Sequence, residues 1–377
     1  MSWPIQIVTH EYPPFRGGIA VYVEETARAL GARGAEVTVW APSYGRSPGM
    51  GEEAGIRVRR IRMRGKQDFL CRWRMAAALR RAFPGGEIAG SVLLAEPGPI
   101  RLWMGAGRRR LPRAQGLGLI LHGSEGEGFA KSPRQRAAFG RLLAESAVAG
   151  VVSEAVGKRL ADIWPEAGNR LLRIPGAPPS GWREAVEKPS SGAVLQVLQV
   201  GRLHPRKGQD LLVEAVARLS PSERERIEVK LVGPVARGSF VRQLRKAIAL
   251  DQLPVELAGV LGPTALRRAY AGAQVVAFPS RRHGTSVEGL GLAVLEGAKA
   301  GCAILAADTG GVGEALRHGK TGFLVPEEDA GALAETLRRF LRDPALARRM
   351  GEAGRAFVRD NFSWDRNAAA LLEGLRT

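Results

Sequence analysis

The chain has 377 residues, of which 45% are hydrophobic and 25% charged, a composition typical of a soluble globular protein with two ordinary domains. Its 56 Lys and Arg residues outnumber 37 Asp and Glu residues, and the net charge of +19 indicates anionic partners. Apolar runs are too short to cross a bilayer, the start does not resemble a signal peptide, and two distant cysteines, Cys71 and Cys302, do not suggest disulfides, so a cytoplasmic location is expected.

The first half of the chain alternates short apolar runs with longer helical patterns. Four runs have the length and continuity of parallel strands buried on both faces, and they occupy residues 5–8, 37–40, 92–95 and 117–121. A helical pattern over 19–32 ends before Gly34, and Ser153 is a suitable N-cap for a later helix. This half therefore predicts an α/β sheet.

The loop after the first predicted strand reads HEYPPFRGG and leads into a helix. Gly17 and Gly18 precede that helix, whose first N–H groups lack intrahelical partners and are suited to an anion. A tight turn explains a glycine pair equally well, so this motif is weak evidence alone.

A change of composition then divides the chain. Residues 175–192 are rich in Pro, Gly and Ser and lack periodicity, which is typical of a linker. Four further strand-like runs follow at residues 194–201, 229–233, 275–280 and 302–307. A last helical pattern covers 363–375. Two alternating halves predict two doubly wound sheets, with ligands bound beyond the carboxyl ends of their strands.

The loop GRLHPRKG, after the first strand of the second half, carries two cations. Arg202 and Lys207 lie five positions apart, and an Arg fork with a Lys point charge is suited to a diphosphate. A solvated basic loop is the alternative explanation.

A later stretch, SVEGLGLAVLEGAKAG, places two glutamates in apolar sequence. Glu288 stands at a glycine-rich turn, and Glu296 follows eight positions later. A buried carboxylate is unfavourable unless it is paired, so the pattern predicts a binding site. If the whole stretch is helical, the two glutamates are about 12 Å apart along the axis.

In their order and spacing, GRLHPRKG, EGLGLAVLEGAKAG, TGGVGEAL and GKTGFLVP, together with EYPPFRGG, resemble the retaining glycosyltransferases of family 4. The resemblance covers nearly the whole chain and implies the GT-B fold, two Rossmann-like α/β domains facing each other across a cleft. It places an acceptor-binding domain at 1–180, a donor-binding domain at 181–361 and a helix that crosses back at 362–377.

The activity that this resemblance implies is sugar transfer from a UDP-, GDP- or ADP-sugar donor to a glycan or lipid-linked acceptor, as in polysaccharide biosynthesis. No metal or other cofactor is expected. The loop before Glu288, FPSRRHGTSVEG, is longer than the commonest family form, which leaves the donor sugar open.

The resemblance also implies roles for single residues. Glu288 would hold hydroxyls of the transferred sugar, and Glu296 would accept hydrogen bonds from the ribose. Arg202 and Lys207 would neutralise the diphosphate as it leaves. His122 corresponds to a histidine near the sugar, with a structural role as the alternative.

Catalytic roles are thus predicted for His122, Arg202, Lys207 and Glu288. The predicted donor-binding residues comprise the two glutamates, the two loop cations and several backbone-rich positions, namely Gly17, Gly18, Val260, Gly289, Leu290 and Gly291.

Two alternatives to a transferase stay open. An epimerase or phosphorylase of the same fold also acts on sugar phosphates or nucleotide sugars. A basic nucleic-acid-binding protein fits the charge, but aromatic residues are only 6% and do not interleave with the basic clusters, so no nucleic acid is expected.

A basic cluster runs from Arg57 to Arg81, where nine arginines and one lysine accompany a single acid, Asp68. Its helical part is not cleanly amphipathic, because Arg72 and Arg80 interrupt the apolar side. The cluster predicts peripheral binding to an anionic membrane, on the inner face of the cytoplasmic membrane. A solvated basic surface is the alternative.

Overall fold

A computed structural model describes residues 3–65, 68–105, 111–182, 194–234 and 238–376. The chain divides into two compact units. Unit 1 comprises Met1–Gly176 and Ser363–Thr377, and unit 2 comprises Ala177–Phe362.

The described part of unit 1 contains an eight-stranded sheet. Its strands are β1 (Pro4–Val8), β2 (Glu36–Pro42), β3 (Gly49–Glu53), β4 (Ile56–Ile61), β5 (Glu87–Leu94), β6 (Arg113–Leu121), β7 (Val148–Val151) and β8 (Leu171–Arg173). Their spatial order is β3-β4-β2-β1-β5-β6-β7-β8, and β3 is antiparallel to β4 while the other pairs are parallel. The helices of unit 1 are α1 (Gly18–Ala32), α2 (Phe69–Ala82), α3 (Pro97–Met104), α4 (Glu125–Ala130), α5 (Pro133–Glu145), α6 (Glu154–Ile163) and α14 (Trp364–Arg376).

Unit 2 contains a parallel sheet in the order β11-β10-β9-β12-β13-β14. These strands are β9 (Leu195–Val200), β10 (Ile227–Val232), β11 (Val255–Gly259), β12 (Val275–Phe278), β13 (Ala303–Ala307) and β14 (Gly322–Val325). The helices are α7 (Gln209–Ala217), α8 (Pro221–Arg224), α9 (Ser239–Leu250), α10 (Pro263–Gly272), α11 (Leu292–Lys299), α12 (Ala330–Arg342) and α13 (Pro344–Asn361).

Both sheets reverse their winding direction once, and these reversals decide where ligands bind. In unit 1 the reversal lies between β1 and β5, and in unit 2 it lies between β9 and β12. At such a switch point the loops that follow the two central strands diverge and leave a crevice. The loops after β1, β5, β9 and β12 are therefore the first places to look for a site.

The predicted elements agree with the structure at most points. All eight predicted strands are confirmed, and so are the helix over 19–32 and the last helix. The Ser153 hydroxyl caps α6 by accepting from the N–H of Val156 at 3.2 Å. The linker falls partly outside the described residues, which omit 183–193.

The glycine-rich turn at Glu288 is confirmed, but the helical spacing between Glu288 and Glu296 is wrong. Helix α11 begins only at Leu292, so Glu296 is helical and Glu288 lies in the preceding loop. Gly291 terminates that loop in a left-handed conformation (φ 88°), and a Cβ there would lie 3.0 Å from the Phe278 ring. The glycine permits a close approach to β12 that a helix would not make.

Cys71 and Cys302 are both buried. None of the helices in the described ranges is both long enough and apolar enough to span a bilayer.

Candidate active site

The loop after β9 closes tightly against the loop after β12. A short 3₁₀ turn, Pro205–Lys207, ends at Gly208, which has a left-handed conformation (φ 69°). A Cβ at Gly208 would lie 1.9 Å from the carbonyl oxygen of Pro279, so only glycine allows this approach. The two switch-point loops of unit 2 are thereby held side by side.

Glu288 receives two cations from the neighbouring loop. Its Oε2 accepts from Arg206 Nη1 at 2.6 Å and from Lys207 Nζ at 2.7 Å. The side chains of Glu288 and Lys207 are only 13% and 16% exposed, so this cluster is largely shielded from water. Lys207 Nζ also lies 4.9 Å from the centroid of the Phe278 ring. We call these three charged side chains the Glu288 cluster.

Burial and charge act against each other in the Glu288 cluster. Burial raises the pKa of Glu288, but the charges and hydrogen bonds of Lys207 and Arg206 outweigh it and hold that pKa below its ordinary value. Burial lowers the pKa of Lys207, and Arg206 and Arg202 add to this effect while Glu288 opposes it. The carboxylate is therefore ionised, and the cations around it exceed it in charge.

Arg202 and Lys207 are positioned differently from one another. Arg202 is exposed, and its carbonyl oxygen accepts from Gln209 Nε2 at 3.2 Å. Its charge is near enough to lower the pKa of Lys207. Sequence reasoning missed Arg206. The signal was available, because a second cation stands directly beside Lys207 in GRLHPRKG.

The TGGVGEAL motif supports the backbone of Glu288. The Gly311 N–H donates to the Glu288 carbonyl oxygen at 3.1 Å. Gly310 has a left-handed conformation (φ 58°), and a Cβ there would lie 2.0 Å from the same oxygen. After Glu288, both Gly289 and Leu290 are buried. The motif therefore fixes the backbone from which the Glu288 side chain extends.

Glu296, on the first turns of α11, makes a separate contact. Its Oε2 accepts from the Tyr270 hydroxyl of α10 at 2.7 Å. Burial raises the pKa of Glu296 to about 7, and the Tyr270 hydrogen bond opposes the shift. Tyr270 is fully buried and packs edge-on against Trp182, with ring centroids 4.9 Å apart. Sequence reasoning does not identify Tyr270, because this residue lies 26 positions before its partner in an ordinary helical pattern.

The long loop before Glu288 places a second histidine beside the cation loop. The rings of His204 and His283 lie 5.3 Å apart, edge to face. His204 Nδ1 accepts from the Arg206 N–H at 3.1 Å. Burial, then Arg202 and the other neighbouring cations, lower the pKa of His204, which keeps its ring neutral. The extra loop residues thus add a titratable group at the edge of the Glu288 cluster.

Val260 follows Gly259, which ends β11 in a left-handed conformation (φ 68°). Its side chain is 45% exposed, an accessible apolar surface at the carboxyl edge of the sheet. This position is compatible with the predicted donor contact and does not test it.

Unit 1 carries Gly17, Gly18 and His122. Gly17 caps α1 with an extended backbone, and Gly18 is exposed as the first residue of that helix. His122 Nε2 donates to the Ala95 carbonyl oxygen at 2.9 Å, which leaves Nδ1 as the acceptor of the neutral ring. The N–H of His122 donates to Glu125 at 3.0 Å. His122 therefore has a structural role in its loop, and its Nδ1 has the chemistry to accept from a hydroxyl.

A buried pair joins the two switch-point loops of unit 1. His10 Nδ1 and Glu96 Oε1 are 3.0 Å apart, and both side chains are fully buried. Glu96 Oε2 accepts from the Gly98 N–H at 2.6 Å, so the carboxylate also caps α3. Sequence reasoning missed this pair, whose members lie 86 positions apart.

Together, these features define a class of protein. A doubly wound sheet presents cations and a carboxylate at one switch point. A second carboxylate lies on the helix that directly follows. Cations at that place suit a diphosphate, and carboxylates suit vicinal hydroxyls of a ribose or a hexose. The two α/β units and this site are those of a GT-B enzyme that acts on nucleotide sugars.

The comparisons with known proteins identify the family. Residues 16–176 match the family model described as Glycosyltransferase Family 4, and residues 182–357 match that of Glycosyl transferases group 1. A GDP-mannose-dependent alpha-(1-6)-phosphatidylinositol monomannoside mannosyltransferase of Mycobacterium tuberculosis is 30% identical over 99% of this chain and 98% of its own length. A D-inositol 3-phosphate glycosyltransferase of Streptomyces avermitilis is 30% identical over 95% of this chain and 82% of its own length.

Solved structures show the same fold. Sucrose-phosphate synthase of Thermosynechococcus elongatus superposes with a TM-score of 0.80 at 23% identity, covering 99% of this chain and 98% of that one. Anabaena HepE in complex with UDP and glucose superposes with a TM-score of 0.75 at 19% identity, covering 99% of each chain. The chain belongs to glycosyltransferase family 4 and is a nucleotide-sugar glycosyltransferase of GT-B fold. The comparisons give no support to an epimerase, a phosphorylase or a nucleic-acid-binding protein.

Proposed function

We propose that the enzyme transfers mannose from GDP-mannose to a lipid-linked acceptor with a polyol head group, with retention at the anomeric carbon and without a metal. The observation that carries the nucleotide-sugar part is the Glu288 cluster at the switch point of unit 2. The choice of base, sugar and acceptor follows the activity of the Mycobacterium tuberculosis relative, which is similar over nearly the full length of the chain.

The donor diphosphate binds the cations of the loop after β9. Arg206 and Lys207 already form ion pairs with Glu288. Together with Arg202 they carry more positive charge than the single carboxylate can neutralise. A diphosphate therefore enters a positively charged, largely dry place, where electrostatic attraction is strong. The Glu288 carboxylate accepts hydrogen bonds from hydroxyls of the transferred sugar. The Glu296 carboxylate accepts hydrogen bonds from the ribose hydroxyls.

In the transfer step, the acceptor hydroxyl oxygen bonds to the anomeric carbon as the bond from that carbon to the phosphate oxygen breaks. Attack comes from the face of the leaving group, and a phosphate oxygen takes the acceptor proton. Lys207, Arg206 and Arg202 stabilise the negative charge that grows on the diphosphate. The residue that we assign to the reacting sugar is Glu288. The roles of His122, and of the Gly17 and Gly18 N–H groups, stay predictions.

Release of free nucleotide tests this proposal. GDP-mannose with vesicles containing phosphatidylinositol or its mannosides should give acceptor-dependent release of GDP, with mannose appearing on the lipid. UDP- and ADP-sugars should give much less, and a chelator should leave the rate unchanged. Preference for another donor would overturn the mannose assignment, and loss of activity with chelator would overturn the metal-free one.

We also propose that helix α2 docks on an anionic membrane, which would put the enzyme peripherally on the inner face of the cytoplasmic membrane. Its residues Cys71, Met75 and Leu79 are buried inward. Phe69 and Trp73 face outward and are 75% and 53% exposed. The apolar residues of α2 therefore lie on two different faces of the helix. One face packs inward, and the other exposes aromatic side chains to solvent.

The basic cluster does not act as one surface, however. Arg60 in β4 is buried, and its Nε donates to Glu53 Oε1 at 2.7 Å. Arg57 pairs with Glu36 at 3.1 Å. Arg62, Arg64 and Arg81 are exposed and therefore available to an anionic surface, whereas Lys66 lies outside the described residues. A few such cations beside exposed aromatic residues match an anionic lipid surface, at about 1 kcal/mol for each cation close to it.

Co-sedimentation with vesicles checks this docking. Binding to phosphatidylglycerol vesicles should be strong at low salt, weaker at high salt and absent with phosphatidylcholine. Trp73→Ser should weaken it at every salt concentration. Leu250→Ser is the matched control, since Leu250 is 75% exposed but lies in unit 2. Equal binding to anionic and neutral vesicles, or an effect of Leu250→Ser equal to that of Trp73→Ser, would contradict the proposal.

A further inference from the structure

An aromatic pair with one exposed member stands at the carboxyl edge of the unit 1 sheet. Phe15, in the switch-point loop after β1, is 41% exposed. Its ring stacks on Tyr44, which follows β2, with centroids 5.9 Å apart and planes inclined by 25°. One face of Phe15 is covered by Tyr44, so the pair forms a platform whose outer face is that of Phe15.

The platform is held rigidly from below. The Tyr44 hydroxyl donates to the His10 carbonyl oxygen, and the tyrosine ring lies against Gly65, where a Cβ would be 2.3 Å from it. Gly65 has a left-handed conformation (φ 73°), so a larger residue there would be strained and would displace the ring. Burial raises the pKa of Tyr44 well above its ordinary value, which keeps the hydroxyl a donor.

The loop that carries Phe15 is fixed equally well. The Phe15 N–H donates to the Tyr12 carbonyl oxygen at 3.0 Å. Buried Arg60 lies over the Tyr12 ring at 5.3 Å and donates to the Pro13 carbonyl oxygen. A Cβ at Gly17 would lie 3.2 Å from Phe15 Cε1, so the glycine leaves room for the phenylalanine ring. An exposed aromatic ring whose loop is fixed by these contacts is suited to stacking on a ligand.

Two exposed cations lie next to the platform residues in the sequence. Arg16 follows Phe15 directly, and Arg64 precedes Gly65, which touches Tyr44. An aromatic face beside cations is complementary to a ring with an apolar C–H face and an anionic substituent. Neither feature alone would select that ligand, because a hydrophobic surface lacks the anion site and a basic loop lacks the flat surface.

We propose that Phe15 and Tyr44 form the acceptor platform, on which a phosphate-bearing polyol or sugar ring stacks while Arg16 and Arg64 hold its phosphate. This inference deepens the proposed function and rests on it for the role of the ligand as acceptor. Gly65, whose position touches Tyr44, lies four positions before Phe69 of α2 in the sequence.

Direct binding of two soluble probes, inositol phosphate and uncharged inositol, tests the platform by calorimetry on the full chain. Phe15→Ala should weaken binding of both by about tenfold, as expected for loss of one aromatic contact, and Phe15→Trp should restore it. Arg16→Gln should weaken inositol phosphate alone. Met50→Ala is the control, because Met50 is an exposed apolar side chain of the same unit.

The outcomes separate this inference from the proposed function. Binding that depends on Phe15 without any sugar transfer would sustain the platform and refute the transfer to a polyol lipid. Absence of binding by the unmodified protein at millimolar probe, or equal binding by Phe15→Ala, would overturn the platform even if transfer is observed. A uniform loss in both Phe15→Ala and Met50→Ala would mark a structural effect and likewise count against it.

Discussion

Replacing Lys207 with alanine is expected to lower turnover by about 100- to 1,000-fold, the usual cost of removing one preorganised group that stabilises a developing charge. Lys207 is the least exposed cation that reaches Glu288, where its ammonium lies 2.7 Å from the carboxylate. Its attraction to the leaving diphosphate is therefore little screened. Steady-state release of nucleotide from the donor, with and without acceptor, measures the effect.

The fold should survive this change. Arg206 stays within 2.6 Å of Glu288, so the carboxylate keeps a partner after the lysine is gone. Lys230→Ala is the matched control, because Lys230 also pairs with a glutamate, Glu256, but is exposed on β10. Near-normal turnover in Lys207→Ala, with an unchanged thermal transition, would refute the assignment of Lys207.

Comparison with Glu288→Gln sharpens the assignment. Removing the carboxylate leaves Arg206 and Lys207 free to bind phosphates, so affinity for the nucleoside diphosphate should be kept or increased. Transfer should nevertheless fall, since the sugar loses an acceptor for its hydroxyls. Lys207→Ala should weaken both. If the two variants instead behave alike in nucleotide binding, the cluster does not divide its roles as proposed.

Much of the fold could be predicted because parallel strands buried on both faces leave continuous apolar runs. The runs in β1, β9 and β13 are of this kind, and all were found. Strand β4 was not found, because its residues Ile56–Ile61 alternate arginine with apolar residues and were taken for part of a basic cluster. Its buried Arg60 is compensated by Glu53 from β3, a pairing that only the folded sheet makes.

The candidate site divides in the same way. Glu288, Glu296 and Lys207 were predicted, because a carboxylate in apolar sequence and a cation in a glycine-bounded loop are visible locally. Tyr270 and the link between Glu288 and Arg206 were not, because they join elements that meet only across the sheet. The inward and outward faces of α2 could not be predicted either, because an interrupted apolar stripe does not reveal which of its residues become buried.

Nucleotide-sugar binding is expected to depend on pH through Glu296. In the free protein, burial raises the pKa of this carboxyl group to about 7, so near neutrality it is partly protonated. Two ribose hydroxyls donate best to the ionised form, and binding should therefore lower that pKa and release a proton. Affinity should rise as the pH increases from about 5.5 to 7 and level off above it, with at most about a tenfold change per pH unit.

Calorimetry with intact GDP-mannose in buffers of different ionisation enthalpy measures the released proton directly. The intact donor is a diphosphate diester and lacks the phosphate group that titrates near pH 6 in free nucleotides. Glu296→Gln should bind the donor about 10- to 100-fold more weakly at pH 8 and show no proton release from this site. The ring of His283 lies against that of His204 in the same unit, so His283→Ala serves as a control that should keep the release.

The stability of the free protein provides an independent check, and its sign is opposite to that of an ordinary ion-paired carboxylate. The pKa of Glu296 is raised in the folded state, so its contribution is most favourable below the unfolded value of about 4.3 and declines as the pH rises towards 7. At pH 8 the ionised, half-buried carboxylate costs on the order of 3 to 4 kcal/mol relative to the acid form. Glu296→Gln removes this cost, and it should melt higher than the unmodified chain at pH 8 but at nearly the same temperature at pH 5. A variant that is equally destabilised at both values would show that Glu296 is held by packing and Tyr270 alone, and that its protonation is not coupled to donor binding.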